Sequence, residues 1–333
     1  MMQGHQSWLF QTQPAIIGAA AVGGPFEADG ALADDFDILH EDIWLGQESF
    51  EKAEQKLLEQ ACETAIKKAG LKKGDIHFFL SGDLMNQIIS SSFTARALGI
   101  PYLGLFGACS SSMEGLALGA QLIEGGAAGT VLAATSSHNA ATEKQYRYPN
   151  EYGSQKPPTA QWTVTGAGAA VLAREGNGPR ITAATMGRVV DMGISDPFNM
   201  GAAMAPAAVD TLEAHFRDLQ RKPEDYDLIA TGDLGRVGYQ IAADLLQEHG
   251  VALPAGKFTD CGILIYREDQ PVFAGGSGCA CSATVTYGHF LKKIMQGELK
   301  RILIVATGAL LSPLSYQQKE SIPCIAHAVA IEK

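Results

Sequence analysis

The chain has 333 residues, of which 46% are hydrophobic and 18% charged, with 37 glycines; this is enough apolar material for a large core and excludes global disorder. Asp and Glu number 36 against 25 Lys and Arg, a net charge of −11 with no basic run, which argues against a nucleic-acid partner and requires any bound anion to be held by a local pocket against a repelling field. No apolar run reaches the ~20 residues of a membrane span, and the opening MMQGHQSWLF lacks the charged start and apolar stretch of a signal peptide.

In chain order, strands are expected near 14–21, 76–81, 102–106, 130–135 and 168–173, then near 180–186, 227–231, 271–275, 302–307 and 324–331. Helices fall between them. Residues 52–70 carry small or apolar side chains at 53, 57, 58, 61, 65, 66 and 69, a single helical face, and Gly70 is placed to end that helix. A helix follows Cys109, and another spans 203–220. Strand–helix alternation with short links predicts βαβ units and a mostly parallel sheet.

The two sets of elements are copies. Ser81-Gly82-Asp83-Leu84 recurs as Thr231-Gly232-Asp233-Leu234 at an offset of 150, and Gly107-Ala108-Cys109-Ser110 matches Cys279-Ala280-Cys281-Ser282 at an offset of 172. The pattern is therefore α/β, two duplicated βαβαβαββ halves over 1–175 and 176–333, stacked as an α/β/α/β/α sandwich. The stretch 136–165 breaks the repeat, is polar and aromatic, and holds three prolines; a long loop there is expected to cover a cleft.

Six cysteines stand at 62, 109, 261, 279, 281 and 324 without a CxxC pair, as expected for free thiols in a reducing compartment. Cys279 and Cys281 are one residue apart, which does not match zinc-ligand spacing, so no metal site is expected. Gly275-Gly276-Ser277-Gly278 lacks the GK[ST] of a phosphate-binding loop. No cofactor is expected. Cys109 lies between a strand and a helix, where backbone N–H groups and the helix dipole favour a thiolate; it reads equally as a nucleophile or as a small buried thiol.

The duplicated halves, GACSSS at 107–112 and TGAGAAVLAR at 165–174 resemble the thiolase superfamily over roughly 14–331, in particular its ketoacyl-ACP synthase III branch. The SSHNA loop, the SGD/TGDLGR pair and GGSGCACSATVTYG are closer still to a non-condensing branch found in spore-forming bacteria. Condensing enzymes of this superfamily use a Cys with a His and an Asn. The resemblance places the His on TGDLGR, at Gly232 or Asp233, and the Asn on Cys279, so both are missing. Losing one such donor costs roughly 2.7–4 kcal/mol of barrier, and a protein without condensing activity is expected, with Cys109 a vestigial nucleophile.

The resemblance implies binding of dipicolinic acid (pyridine-2,6-dicarboxylate), free or as its calcium chelate, for uptake into the developing spore. It also implies a homodimer joined near 102–106, other spore membrane transport proteins as partners, and a peripheral place on the spore inner membrane. The candidate ligand-binding residues are Cys109, His138, Asp233, Arg236, Cys279, Cys281, Arg147 and Trp162. Arg236, at a strand end, is expected to grip a carboxylate better than Lys144 or Lys156 on the loop; Tyr146, Tyr148, Tyr152 and Trp162 offer rings for stacking. His289 and His327 read as structural. The alternatives are an acyltransferase using Cys109 with another base, and a scaffold with a vestigial cleft.

Overall fold

A computed structural model describes residues 1–146 and 156–333. The first half builds β1 (Ala15–Gly23), α1 (Phe50–Lys68), β2 (Phe78–Gly82), α2 (Ile89–Leu98), β3 (Tyr102–Gly104), α3 (Ser111–Glu124), β4 (Thr130–Ser137), α4 (Asn139–Tyr146) and β5 (Gly166–Ala173). The second builds β6 (Arg180–Met186), α5 (Met200–Leu219), β7 (Leu228–Thr231), α6 (Gly235–Glu248), β8 (Phe258–Asp260), α7 (Cys279–Thr284, continued by helical turns to Gln296), β9 (Arg301–Ala309) and β10 (Cys324–Glu332). Ser49 caps α1, accepting from Lys52 N at 3.2 Å, and Gly70 follows the helix with φ at 70°, the left-handed turn that glycine adopts without steric cost.

The strand orders are the same in both halves: β3-β2-β4-β5-β1 and β8-β7-β9-β10-β6. In each, only the fourth strand in that order runs antiparallel to its neighbours. The sheets join through one residue pair, Arg180 and Ala15, flanked by the bonds Ile16 N to Pro179 O (2.8 Å) and Ile181 N to Pro14 O (2.9 Å).

Strand alternation sorts the core into three clusters. Along β4, Val131 and Ala133 face the central cluster, while Leu132 and Ala134 face the α1 side. Along β9, Ile302, Ile304 and Ala306 face the centre, and Leu303 and Val305 face α5. Both faces of each sheet are covered, which is why these strands read as continuous apolar runs. Helix α3 fills the central layer, with Met113, Leu116, Ala117 and Ala120 buried against both sheets. The result is the five-layer α/β/α/β/α sandwich that the sequence predicts.

Two expectations are corrected. Residues 271–275 are not a strand: Phe273 sits in the left-handed region at φ 57° and makes only an isolated bridge to Gln161. The third strand of the second half is β8, pairing Ile229 with Phe258; it has three residues, too short for an apolar run to mark it. Nor is 136–165 one long loop. It completes β4, forms α4, and pairs Trp162 and Thr163 in parallel with Gly276 and Ser277.

Glu27, after β1, ties the halves together. Its Oε1 accepts from the Tyr266 hydroxyl and from Thr165 N (3.1 Å), while Oε2 has no partner. Burial lifts its pKa from 4.5 to about 7. A raised carboxyl pKa means that the folded state keeps a proton that the unfolded chain releases, so stability falls as pH rises from 4.5 to about 7. Relative to Glu27→Gln, which does not titrate, the wild type should lose up to about 3 kcal/mol across that window. Urea unfolding of both proteins from pH 4.5 to 8 checks this; parallel profiles would refute it.

Candidate functional site

The site forms where the parallel strands of both halves end. At the end of β2 stands Asp83, at the end of β4 Ser136 and Ser137, just past β7 Asp233, and within the last turns of β9 Thr307. The chain from β3 into α3 turns through Gly107, Ala108 and Cys109, with Ala108 at φ 50°. Cys109 is 6% exposed and lines a cavity of about 360 Å³. Both halves line it, with Asp83–Ile88, Phe106, Cys109 and α4 from the first, and Met200, Ser277 and 309–313 from the second. Gln87 and Ile88 are also left-handed, at φ 56° and 47°. A β-branched residue there is strained, and such strain gathers at ligand sites.

Asp233 organises the centre. Its Oδ1 accepts from Thr307 Oγ1 at 2.7 Å, and its Oδ2 from Gly278 N at 2.9 Å and Ser277 Oγ at 3.1 Å. Gly278 has φ 98°, and a Cβ there would meet Ser137 Oγ at 2.7 Å, so only glycine delivers this N–H. The Cys109 thiol faces the same carboxylate. Burial, then Asp233, then the Cys279 thiol push the Cys109 pKa well above the usual thiol range, and only the Gly278 N–H opposes them. The expected dipole-stabilised thiolate is therefore corrected: desolvation and a neighbouring negative charge outweigh the helix terminus, and Cys109 is a protonated thiol at neutral pH.

The two cysteine turns meet at the centre, where Ser112 Oγ and Ser282 Oγ share a 2.7 Å hydrogen bond. Cys279 Sγ donates to Ala108 O at 3.0 Å and touches the back of the Cys109 turn. Cys281 Sγ donates to Gly232 O at 3.4 Å; Cys281, Cys279 and Asp233 all lie outside the cavity lining, behind Cys109 and Ser277.

Several other candidate residues lie away from the cavity. Arg236 is exposed on the first turn of α6, not at a strand end, because the chain turns into the helix at Gly235. His138 is fully buried behind α4; its Nε2 bonds Ile43 O at 2.9 Å, its ring stacks 5.3 Å from Phe50, and burial lowers its pKa from 6.5. Trp162 stacks on Phe26 at 4.6 Å with the Lys156 ammonium 5.4 Å from its ring. Lys144 pairs with Glu51 and Lys156 with Glu143, each at 2.8 Å. His289 pairs with Asp35 at 2.5 Å; burial of His327 on β10 lowers its pKa to about 4. Arg147, Tyr148 and Tyr152 fall outside the described residues.

Sequence reasoning does not pick out Asp83, Phe106, Thr142 or Gln145, all in the lining. The SGD/TGD repeat was the available signal for Asp83, as the partner copy of Asp233. Tyr146 is in the lining, its hydroxyl donating to Leu84 O at 2.5 Å. Gln145 donates to the same carbonyl at 3.1 Å and accepts from Asn86 N at 2.8 Å. Thr142 Oγ1 is buried without a partner. Among the described lining residues there is no Lys, Arg or His. Among all described residues no group of three or more His, Cys, Asp and Glu could hold a metal, and no helix is long and apolar enough to cross a membrane.

Residues 4–332 match the family model described as Stage V sporulation protein AD (SpoVAD). The chain is 53% identical over 333 residues to stage V sporulation protein AD of Bacillus subtilis (strain 168), covering 100% of this chain and 98% of that protein. Among solved structures it is similar to 3-oxoacyl-[acyl-carrier-protein] synthase III from Aquifex aeolicus VF5, with TM-score 0.62, 16% identity, and 96% and 100% of the two chains covered. It is also similar to a variant of Xanthomonas campestris OleA, with TM-score 0.65, 15% identity and 98% of each chain covered. These structures share the fold of the chain, which belongs to the stage V sporulation protein AD family.

A protonated, carboxylate-facing thiol predicts slow chemistry. In native protein at pH 7.5, iodoacetamide should leave Cys109 unlabelled over a period in which the urea-unfolded chain labels all six cysteines. Asp233→Asn should raise Cys109 labelling by about tenfold, the effect of one pKa unit. Peptide mass spectrometry reads both; rapid native labelling of Cys109 would contradict the assignment.

Proposed function

We propose that this member of the stage V sporulation protein AD family binds dipicolinic acid in the Cys109 cavity during its uptake into the developing spore, without condensation chemistry. A role in sporulation follows from the family; the ligand and the absence of catalysis are the proposal. The observation that carries it is the cavity itself. About 360 Å³ suits a small planar ligand. The rings of Phe106 and Tyr146 supply flat aromatic surface, and Thr142 Oγ1 is a buried hydroxyl with an unused donor. A thiol kept protonated supports binding over acyl transfer.

Charge sets the form of the ligand. With Asp83 in the wall and no cation among the described lining residues, a bare dianion meets repulsion. The calcium chelate carries no net charge and enters without that penalty. The fold of condensing enzymes and the retained turn at Cys109 leave acyl transfer as the second reading. The sheet ends at β3, where Leu103 is 44% exposed; this supports pairing with a second copy. Delivery to spore membrane transport proteins, with the chain peripheral on the inner membrane, completes the proposal.

Calorimetric titration with dipicolinate and with its calcium chelate tests the reading. One saturable event is expected, weakened about tenfold by Thr142→Val, the effect of one lost hydrogen bond, and unchanged by Arg236→Ala. No heat at millimolar ligand would refute it. An acyl adduct on Cys109 after incubation with acyl-CoA would favour the second reading instead.

A further inference from the structure

Asp83 in the cavity wall has a second buried carboxyl, Glu54, behind it. Glu54, on α1, is fully buried. Its Oε1 accepts from Ser136 Oγ at 3.0 Å, and its Oε2 has no partner. Asp83 is 4% exposed and forms part of the lining. It accepts from Met85 N (2.8 Å), Ser91 N (2.8 Å) and Ser91 Oγ (2.7 Å). Ser90 Oγ, adjacent to Ser91, is buried without a hydrogen-bond partner, so among the described residues Ser136 alone donates to Glu54.

Neither carboxyl has a cationic partner among the described residues. The other titratable groups around them are neutral or acidic, or already paired. Glu51, on α1, pairs with Lys144 of α4, and what remains of its charge adds to the push on Glu54. The Tyr102 hydroxyl of β3 donates to Ser81 O at 3.2 Å. Tyr146 of α4 and Cys279 of α7 are held un-ionised by burial, and both feel the Asp83 charge. Two desolvated carboxylates that feel each other's charge and have no counter-ion among the described residues cannot both ionise near neutral pH.

We propose that binding of an aromatic dicarboxylate in the Cys109 cavity is coupled to uptake of a proton by the Glu54–Asp83 pair. This rests on the dicarboxylate reading and adds its regulation. A dianion set against Asp83 brings further negative charge to the wall, and a proton on the pair offsets it. The cost of ionising Asp83 in this setting is evident from its pKa, raised by burial from 3.8 to about 6. The sign follows from linkage: the complex binds more protons than the free protein, so affinity rises as pH falls. The device makes the site take up the free dianion in mild acid and release it in mild base, while the uncharged calcium chelate is held with little regard to pH.

The full chain is titrated calorimetrically with dipicolinate and with its calcium chelate between pH 6 and 8, in two buffers of different ionisation heat. For dipicolinate the expected result is net proton uptake of up to one per site, with Kd weakening by up to tenfold per pH unit. The chelate should show a much shallower slope. Asp83→Asn, which keeps the shape of the side chain and removes the carboxyl left to take up the second proton, should flatten the dipicolinate slope and abolish the buffer dependence. In the infrared difference between ligand-free wild type and Glu54→Gln at pH 7, a carboxylic-acid band beyond the contribution of Glu27, common to both, reports the shared proton without any ligand. Dipicolinate binding without proton uptake, or an unchanged slope in Asp83→Asn, would overturn the coupling. Absence of the band would also overturn it, whatever the ligand does. A present band with no heat from either ligand would overturn the dicarboxylate reading, and the coupling with it.

Discussion

The carboxylate of Asp233 is the point at which the two halves become one site. Three donors converge on it, from β9 and from the turn before α7, and it in turn faces the thiol at the start of α3. A buried carboxylate needs several hydrogen bonds to persist, and satisfying them fixes Ser277, Gly278 and Thr307 relative to Cys109. Burial holds the thiol protonated, and the same carboxylate adds to that effect. One residue therefore sets the geometry and bears on the state of the thiol.

Asp83, its copy in the first half, shows how duplication supplies two related but unequal parts. Both follow a strand end in a Gly-Asp-Leu turn, and both are buried. Asp233 is held by donors from its own half and meets a thiol from the other; Asp83 opens onto the cavity and has Glu54 behind it. The halves also diverge in length. The offset between them is 150 at the SGD/TGD turns, 156 between Tyr102 and Phe258, and 172 at the cysteine turns. Most of the added chain thus lies between β8 and α7. It carries Tyr266 to Glu27 and Gly278 to Asp233.

Much of the fold was legible because strands and helices here have strong local signals. The apolar runs of β1, β4, β5, β9 and β10 and the single face of α1 survive into the structure with small shifts at their ends. The element that failed, β8, is three residues long and is recognised only by its parallel pairing with β7. At the site, the cysteine turn and Asp233 stand out as motifs, whereas Arg236, Trp162 and His138 were candidates by residue type and neighbourhood. Their side chains point to solvent, to Phe26 and to Ile43, which no spacing rule encodes. Thr142 and Gln145 gave no signal, being ordinary helix residues until α4 is laid over the cavity.

Sequence alone determined the duplication, the alternation of strands and helices, and the layered architecture. These follow from periodicity and from local spacing along one chain. Tertiary structure decided which groups surround Cys109, that its helix-terminal position does not make it a thiolate, and that the described lining is acidic and without cations. Those properties depend on desolvation and on charges brought together from residues more than a hundred positions apart, and such terms exist only once the halves have packed.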